Sequence, residues 1–490
     1  MTGLRRWIGA LGLLAAMVGE RVHAQAGLNA FSSTGRAAAT TFVTDYQAIG
    51  INPANLGWKW RHQGKHVAFG LLEGTYSVHS DALTRDDMYH RVLNADFKFT
   101  EAEQEEAGRI FANAGAMANA DLMALGFCYA NEKAGGFAFQ VRDRVQVSTR
   151  LGPRMAQILF EGYRADYFDL LVLATGDTIA NYANMSPDSL AMVILGVATQ
   201  PQLIGRVVNG TKIGLTWYRE MNFSYGRHLV RNEAIELDLG IGLKYLQGVG
   251  IMDIRAENDR LTGFSSLSPD FQIDYQNAEW MPGAQLTGGM IAFPKTVGQG
   301  FGVDVGLAML IQESWKVGVA VTDLGAIHWK GNVYEASDGN LVELAATGLE
   351  NFDIITGLED FATSSGVLKW ERAQDKRIPL ASTARIGAGK LLGEWAEVGV
   401  DMVLPLNDEA GNLESPVVGA GGDVRPVRWF QLSAGLLAGG GMSLKFPVGI
   451  TFIAGNGTWE AGFASRDLIT FFTQTNPTLS LSMGFLRFRF

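Results

Sequence analysis

Ile235-Glu236-Leu237-Asp238-Leu239-Gly240-Ile241-Gly242-Leu243-Lys244-Tyr245 alternates without a fault: every odd position is apolar and every even one is charged or glycine. Side chains of a strand point alternately to opposite faces, so the stretch predicts a strand with one wholly apolar face. In a soluble sheet that face is the inside. In a membrane barrel it is the outside, and the polar face lines the lumen.

One strand leaves both readings open, and its neighbours decide. Phe301, Val303, Val305, Leu307, Met309 and Ile311 alternate with Gly302, Asp304, Gly306 and Ala308. After Gln312-Glu313-Ser314, Trp315, Val317, Val319 and Val321 resume the pattern, which reads as a hairpin of two long strands. Similar pieces recur at Val67–Val78, Leu122–Tyr129, Phe137–Val147, Ile213–Phe223, Thr383–Leu391, Ala396–Leu404, Pro416–Val424, Phe430–Leu437, Leu444–Ile453 and Trp459–Phe463. Strands of about ten residues exceed the soluble norm and match what crosses a bilayer obliquely. Backbone in lipid must satisfy its own hydrogen bonds, so such a set must close. The expected fold is all-β: a single transmembrane antiparallel β-barrel of about 14 strands, with an N-terminal hatch and a few short helical insertions.

Composition agrees. Charged residues are 18% of the chain, and Gly supplies 60 of 490 residues. The net charge of −10 argues against nucleic acid as a partner. The single Cys128 cannot form an internal disulfide and reads as a small buried or lipid-facing hydrophobe. At the N-terminus, Arg5 and Arg6 precede an apolar run from Trp7 to Val18, and Val22-His23-Ala24 offers a cleavage site before Gln25. This is the build of a secretory signal, too short to span a membrane. The expected layout is a signal over 1–24, a hatch over 25–60 and a barrel over 61–490, placed in the outer membrane. At the other end, Gly484, Leu486, Phe488 and Phe490 share one face and Arg487 and Arg489 the other. A terminal amphipathic strand ending in Phe resembles the strand that barrel-assembly machinery recognises. Trp217, Tyr245, Trp315, Trp329, Trp395, Trp429 and Trp459 sit near strand ends, as an interfacial girdle would.

Three stretches read as helical. Thr100-Glu101-Ala102-Glu103 forms a capping box opening a helix to about Ala120. Pro153 opens a second, to about Tyr163, and Ser186-Pro187 caps a third, from Asp188 to about Thr199. Asp253–Phe271 and Gly331–Gly366 read as polar outer loops.

Before the first strand, Phe31-Ser32-Ser33-Thr34-Gly35-Arg36-Ala37-Ala38-Ala39 is rich in small residues. Asp45-Tyr46-Gln47-Ala48-Ile49-Gly50 follows, then Asn52-Pro53-Ala54-Asn55-Leu56 with turn chemistry. This segment resembles the start of the long-chain fatty-acid and aromatic-hydrocarbon transporter superfamily of outer-membrane barrels. The matching positions are Gly35, Asp45, Asn52, Pro53 and Ala54, with Asn55 where those transporters carry Gly. The resemblance implies that the segment folds into the lumen as a hatch. A fuller match covers nearly the whole mature chain. It is to a bacterial outer-membrane family catalogued as a domain of unknown function, through Ile51–Gly57, Trp217-Tyr218-Arg219-Glu220, Leu243–Gly248, Phe293-Pro294-Lys295-Thr296 and Val321–Trp329. A more distant similarity is to the barrel that receives cargo in type IX secretion.

No catalytic set assembles. The seven His are scattered, with His62 and His66 the only i,i+4 pair, and no Gly-x-Ser-x-Gly elbow stands between strand and helix. Gly419–Gly422 and Gly439–Gly441 lack a following Lys-Ser/Thr and read as strand and turn glycines. No metal, no cofactor and no enzymatic activity are expected. What remains is a set of inward charges: Glu220, Glu236, Asp238, Lys244, Asp304 and Asp401, with Lys316 and Glu397. They either meet a solute or pair with one another and with the hatch. Two functions follow from these readings. One is passive uptake of a hydrophobic or amphipathic small molecule. The other is a non-transporting barrel that anchors or presents a surface or secretion partner.

Overall fold

A computed structural model describes residues 30–490, apart from 59–63, 88–89, 92–93, 95–96, 132, 183–184, 275–278, 281–287, 353–360, 362–368, 410, 414, 441 and 469–477. The signal segment and His62 lie outside the described residues.

Fourteen antiparallel strands close on themselves. They are β1 Val67–Ser80, β2 Gly115–Asn131, β3 Gly135–Arg150, β4 Lys212–Arg231, β5 Ile235–Glu257, β6 Gly298–Ile311 and β7 Trp315–Trp329. The second half is β8 Thr383–Leu392, β9 Ala396–Pro405, β10 Val417–Val427, β11 Phe430–Gly439, β12 Val448–Ala454, β13 Trp459–Ser465 and β14 Thr478–Arg489. Each pairs with its successor, and β14 pairs with β1, Phe488 standing opposite Phe69. The sheet thus has no edge in the region where no water could satisfy one. Among the described residues no helix is long and apolar enough to cross a membrane.

The faces follow the alternation. On β5, Leu239, Ile241 and Leu243 face out, while Asp238, Gly240, Gly242 and Lys244 are buried inside. From Ile235 to Tyr245 the strand rises about 33 Å, or about 25 Å once tilted, the height of an outer-membrane apolar band. The band ends sharply. Tyr245 meets Phe301 at 5.5 Å between ring centres. The next outward row is polar: Asp143, Arg219, Gln247 and Gln299, each opposite the next across the ladders.

The two ends differ. Tight turns join β2 to β3, β4 to β5, β6 to β7, β8 to β9, β10 to β11 and β12 to β13. At this short-turn end Trp315, Trp395 and Trp429 stand exposed in a girdle. The long-loop end carries a folded cap. Helices Glu101–Phe111 and Pro153–Glu161 pack with a separate four-stranded sheet, Asn340–Leu344, Val193–Leu203, Leu170–Leu173 and Thr178–Ala180.

Several expectations at this end are corrected. The helix opened by the Thr100–Glu103 capping box stops at Phe111, and residues from Gly115 are strand. Asn113 takes a left-handed φ of 62°, which breaks the helix, and ladders to β1 and β3 on both sides outweigh the helix preference of the alanines. The third helix is one turn, Pro187–Leu190. Val193, Ile194 and Val197 then form strand, where β-branched side chains pack best. Residues 253–271 hold a hairpin: β5 continues to Glu257, turns at Asn258-Asp259 (φ 52° and 60°) and returns as Arg260–Leu267. Two positive φ angles at Asn-Asp suit the twist of a two-residue hairpin. Residues 331–366 contain the strands Val333–Ser337 and Asn340–Leu344. The strand expected over Leu444–Ile453 is broken, Met442–Lys445 and Val448–Ala454 flanking Phe446-Pro447. Trp217 and Trp329 are buried in apolar clusters and take no part in a girdle.

Candidate functional site in the barrel lumen

Residues 30–58 lie inside the barrel, almost every one buried. Three single turns shape them: Phe31–Thr34, Asp45–Ala48 and Pro53–Gly57. Pro53 starts the last because its φ is preset and it has no N–H to leave bare. Asn52 caps that turn, its side-chain oxygen accepting from the Ala54 N–H at 3.1 Å. Its amide nitrogen donates to the Leu307 carbonyl of β6 at 3.2 Å. Asn55 works within the segment instead, donating to the carbonyls of Thr40 and Val43, both at 2.9 Å.

The wall is shaped to receive these turns. A Cβ on Gly240 would collide with the Pro53–Ala54 peptide, and one on Gly306 with the Asn52 side chain. The small residues between the apolar ones in the sequence are therefore the space the segment fills. Gly35 lies against Ser433 of β11 and Gly449 of β12.

Charge ties the segment to the far wall. Asp45, itself left-handed at φ 55°, accepts from Arg487 at 2.7 Å and from Arg489 at 2.9 Å, and both arginines also meet Glu460. Asp401 accepts from the backbone of Ala39 at 2.8 Å and of Thr40 at 3.0 Å. Arg36 stands 3.6 Å from Asp423. Glu73 accepts from the Tyr46 hydroxyl and, at 2.8 Å, from Gln47. Glu73 reaches inward beside a bulge at Leu72, whose φ is 53° and whose side chain points to the surroundings.

On its other side the segment has an apolar seat. Val43, Ile49, Ile51 and Leu56 pack on Ala68, Met123, Cys128 and Ala138 of β1 to β3. Cys128 is buried beneath it.

The predicted inward charges divide into separate groups. Lys244 is central, with Asp304 at 2.9 Å, Glu220 at 3.6 Å and Asp323 in direct contact. Asp401 holds the segment, and Asp238 meets His228 beside Gly57. Glu236 pairs with Arg231 at the short-turn end, apart from the rest. Lys316 and Glu397 pair across 2.7 Å. Sequence reasoning missed Glu73, Arg142, Arg144 and Asp323, which complete the network: Arg142 reaches Glu220 at 3.3 Å and Arg144 reaches Asp323 at 3.1 Å. Arg142 and Arg144 share one face of β3, but Asp143 between them breaks the apolar alternation that would have marked that face as inward. At the chain end, Gly484 faces the lumen against Phe31, not outward with Leu486, because the ladder shifts register opposite Glu460–Gly462. Phe490 is exposed and stacked near Phe488 at 6.3 Å.

A chamber lies on each side of the segment. The one toward the short turns has about 70 Å³ and is lined by Arg36, Gln47, Lys316, Glu397, Arg425 and Glu460 among others. The one toward the long loops also has about 70 Å³, lined by Asp121, Arg144, Asp323, Arg385, Asn412 and Arg466 among others. At roughly 10–15 Å³ of such space per water, each has room for several waters.

The class these features define is a transmembrane β-barrel with a filled lumen and a folded cap. The chain belongs to the family described as a family of unknown function (DUF5723), whose model matches residues 182–436. No curated protein matches it by sequence. Solved structures with a distant likeness in form include the Ralstonia pickettii toluene transporter TbuX, at 11% identity over 94% of this chain and 98% of that one, TM-score 0.44. Others are the Pseudomonas putida toluene transporter TodX (9%, 96% and 99%, TM-score 0.40) and a Pseudomonas aeruginosa FadL homologue (12%, 96% and 99%, TM-score 0.41).

Proposed function

We propose that this chain is an outer-membrane barrel that admits small amphipathic solutes through a lumen held shut by its N-terminal segment. On this reading residues 1–24 direct export and are removed. The strand ending at Phe488 and Phe490 is what the assembly machinery recognises, and the lipid of the outer membrane covers the apolar band. Residues 30–58, with Gly35, Asp45, Asn52, Pro53 and Asn55, act as the hatch. The observation that carries the reading is a polar chamber on each side of a segment tied to strands of the wall by ion pairs and hydrogen bonds. A barrel serving only as an anchor has no need of two chambers; its own side chains would fill the interior. Because the chambers are polar, an amphipathic solute fits them better than a hydrocarbon.

Conductance in planar bilayers is the test. Intact protein should be nearly silent, and deletion of residues 28–57 should open a pore. A deleted form that assembles normally yet conducts no more than the intact one sinks the reading. That outcome would favour a second reading, a barrel that presents a surface or secretion partner. What speaks for it is the cap, with its own core and with Ile194, Leu203 and Val342 exposed on one small sheet.

A further inference from the structure

At the long-loop end a strap of chain crosses the outside of the wall. Glu220 of β4 is buried in the lumen network, so its neighbour Arg219 points outward. Arg219 holds Asp143 of β3 at 2.8 Å and donates to the carbonyls of Ala292 at 2.9 Å and Ile291 at 3.4 Å. Those carbonyls end the short helix Gly288–Ala292, which therefore rests on the outer wall. The same connection is pinned twice more. Phe271 packs edge-on against Trp217, two residues along β4, at 5.9 Å between rings, and Asp270 accepts from the Lys295 N–H at 2.8 Å. What the strap shows to the surroundings is apolar. Phe293 is 84% exposed, the highest value of any large apolar side chain among the described residues, and Ile291 is 47% exposed. The sequence carries no charge between Glu279 and Lys295.

The height of the strap decides what those side chains meet. Arg219 lies one outward position beyond Met221, which stands opposite Tyr245, and Tyr245 stands opposite Phe301 in the last apolar row of the band. One such step is about 7 Å along a strand and about 5 Å along the membrane normal at the usual tilt. The headgroup layer beyond the hydrocarbon is about 5–7 Å deep on each side. The strap thus sits at the depth of that layer, and on its outer side, because bacterial barrels carry their long loops outside. From this placement we infer that Ile291 and Phe293 dip into the outer leaflet and contact the acyl chains of its lipid, as an interfacial anchor laid outside the closed wall. They extend the apolar surface that Tyr245 and Phe301 begin, where a Phe held open to water would gain nothing. The polar groups at this level are already satisfied: Arg219 and Asp143 hold each other, and the carbonyls of Ile291 and Ala292 take the remaining donors. Lys295, paired with Asp270 at 3.3 Å and otherwise exposed, has the aliphatic stem and polar head that suit the same boundary.

The inference rests on the membrane placement of the barrel and not on uptake, and one experiment separates anchor from placement. Full-length protein in phosphatidylcholine vesicles carries a nitroxide label on one introduced thiol. The variants are Ile291→Cys and Phe293→Cys on the strap, Ile241→Cys in the band, and Ile194→Cys on the exposed side of the cap. Cys128 is fully buried and stays in place, and the unsubstituted protein sets the background of labelling. Collisions of each label with oxygen, which partitions into lipid, are compared with collisions with a water-soluble nickel chelate. The oxygen-to-nickel ratio at 291 and 293 should be several times that at 194 and somewhat below that at 241. Either strap position decides by itself if the other variant fails to assemble. A ratio on the strap equal to that at 194, with 241 still in lipid, overturns the anchor and leaves the membrane placement standing. Strap labels shielded from both probes lie against protein, which overturns the anchor equally. A water-like ratio at 241 as well overturns placement and anchor together.

Discussion

The barrel wall and the cap are built from one chain by opposite solvent rules. In the wall the apolar side chains point outward: Leu239, Ile241 and Leu243 face the surroundings while Asp238 and Lys244 are buried. In the cap the apolar side chains point inward: Phe111, Ile158, Leu159, Phe160 and Leu344 form a core, and helix Glu101–Phe111 turns Glu105, Glu106 and Arg109 to water. The wall is held chiefly by its closed ladder, the cap by packing. A structure held by ladders tolerates loss of a methyl group and resists a charge on its outer face. One held by packing is sensitive to loss of core volume and tolerates charge on its outer, water-facing side.

The largest effect should come from the cap. Phe160 is fully buried and meets Phe99 and Phe111 at ring distances of 5.9 and 5.0 Å. Phe160→Ala should cost the cap about 3–5 kcal/mol through the cavity it leaves. Hydrogen exchange should show the helix Pro153–Glu161 opening while the heat-modifiable gel migration of the barrel is unchanged. If barrel and cap lose stability together, they are one cooperative unit and the contrast fails.

The wall should answer to charge. Leu239→Arg places a guanidinium in the apolar band and should cost about 2–4 kcal/mol near its middle. The readout is the temperature at which the folded band disappears from gels. Gly240→Arg, one residue on, would act by a different route, displacing Pro53 and Ala54 from inside. Equal behaviour of the two variants, both sparing the lumen segment in proteolysis, would contradict the assigned faces.

The same contrast decides what the sequence could reveal. Where strands cross lipid, the bilayer enforces a period of two, and all fourteen strands have a recognisable core of alternation, down to the five residues Trp459–Phe463. Past the band that constraint ends. Gly115–Asp121 and Val193–Leu203 are strands whose outer sides meet water or the cap, so their alternation fades and alanine-rich or capped stretches read as helix. The lumen was partly legible. Asn52 and Asn55 stood out because turn chemistry is local, Asp45 through the family resemblance, and Asp304 and Lys244 because they are charges among small residues on the face opposite the apolar one. The partners of Asp45, the arginines at 487 and 489, lie more than 440 residues away in sequence. No local pattern joins them; only closure of β14 onto β1 does.

The smallest effect expected is a pH dependence confined to the cap. Burial raises the Glu161 carboxyl from its ordinary 4.5 to about 7, and Asp166 and Glu105 push the same way, against Gln157 and Arg164. Its place at the C-terminal end of a helix adds to this, since the carbonyl end of the helix disfavours a negative charge. The folded cap therefore holds this proton more tightly than the unfolded chain does. Between about pH 4.5 and 7 folding takes up a proton, so cap stability is full below that window and falls as pH rises through it. Glu161 keeps partial contact with water, which screens the effect and keeps it below that of either substitution above. Hydrogen exchange of Pro153–Glu161, corrected for intrinsic rates, should show stronger protection at about pH 5 than at about pH 8, with the wall strands unchanged. Glu161→Gln, neutral at every pH, should flatten the dependence at the more protected level. Protection that rises with pH in the native protein, or a dependence that survives in Glu161→Gln, would show that another group in the cap governs it.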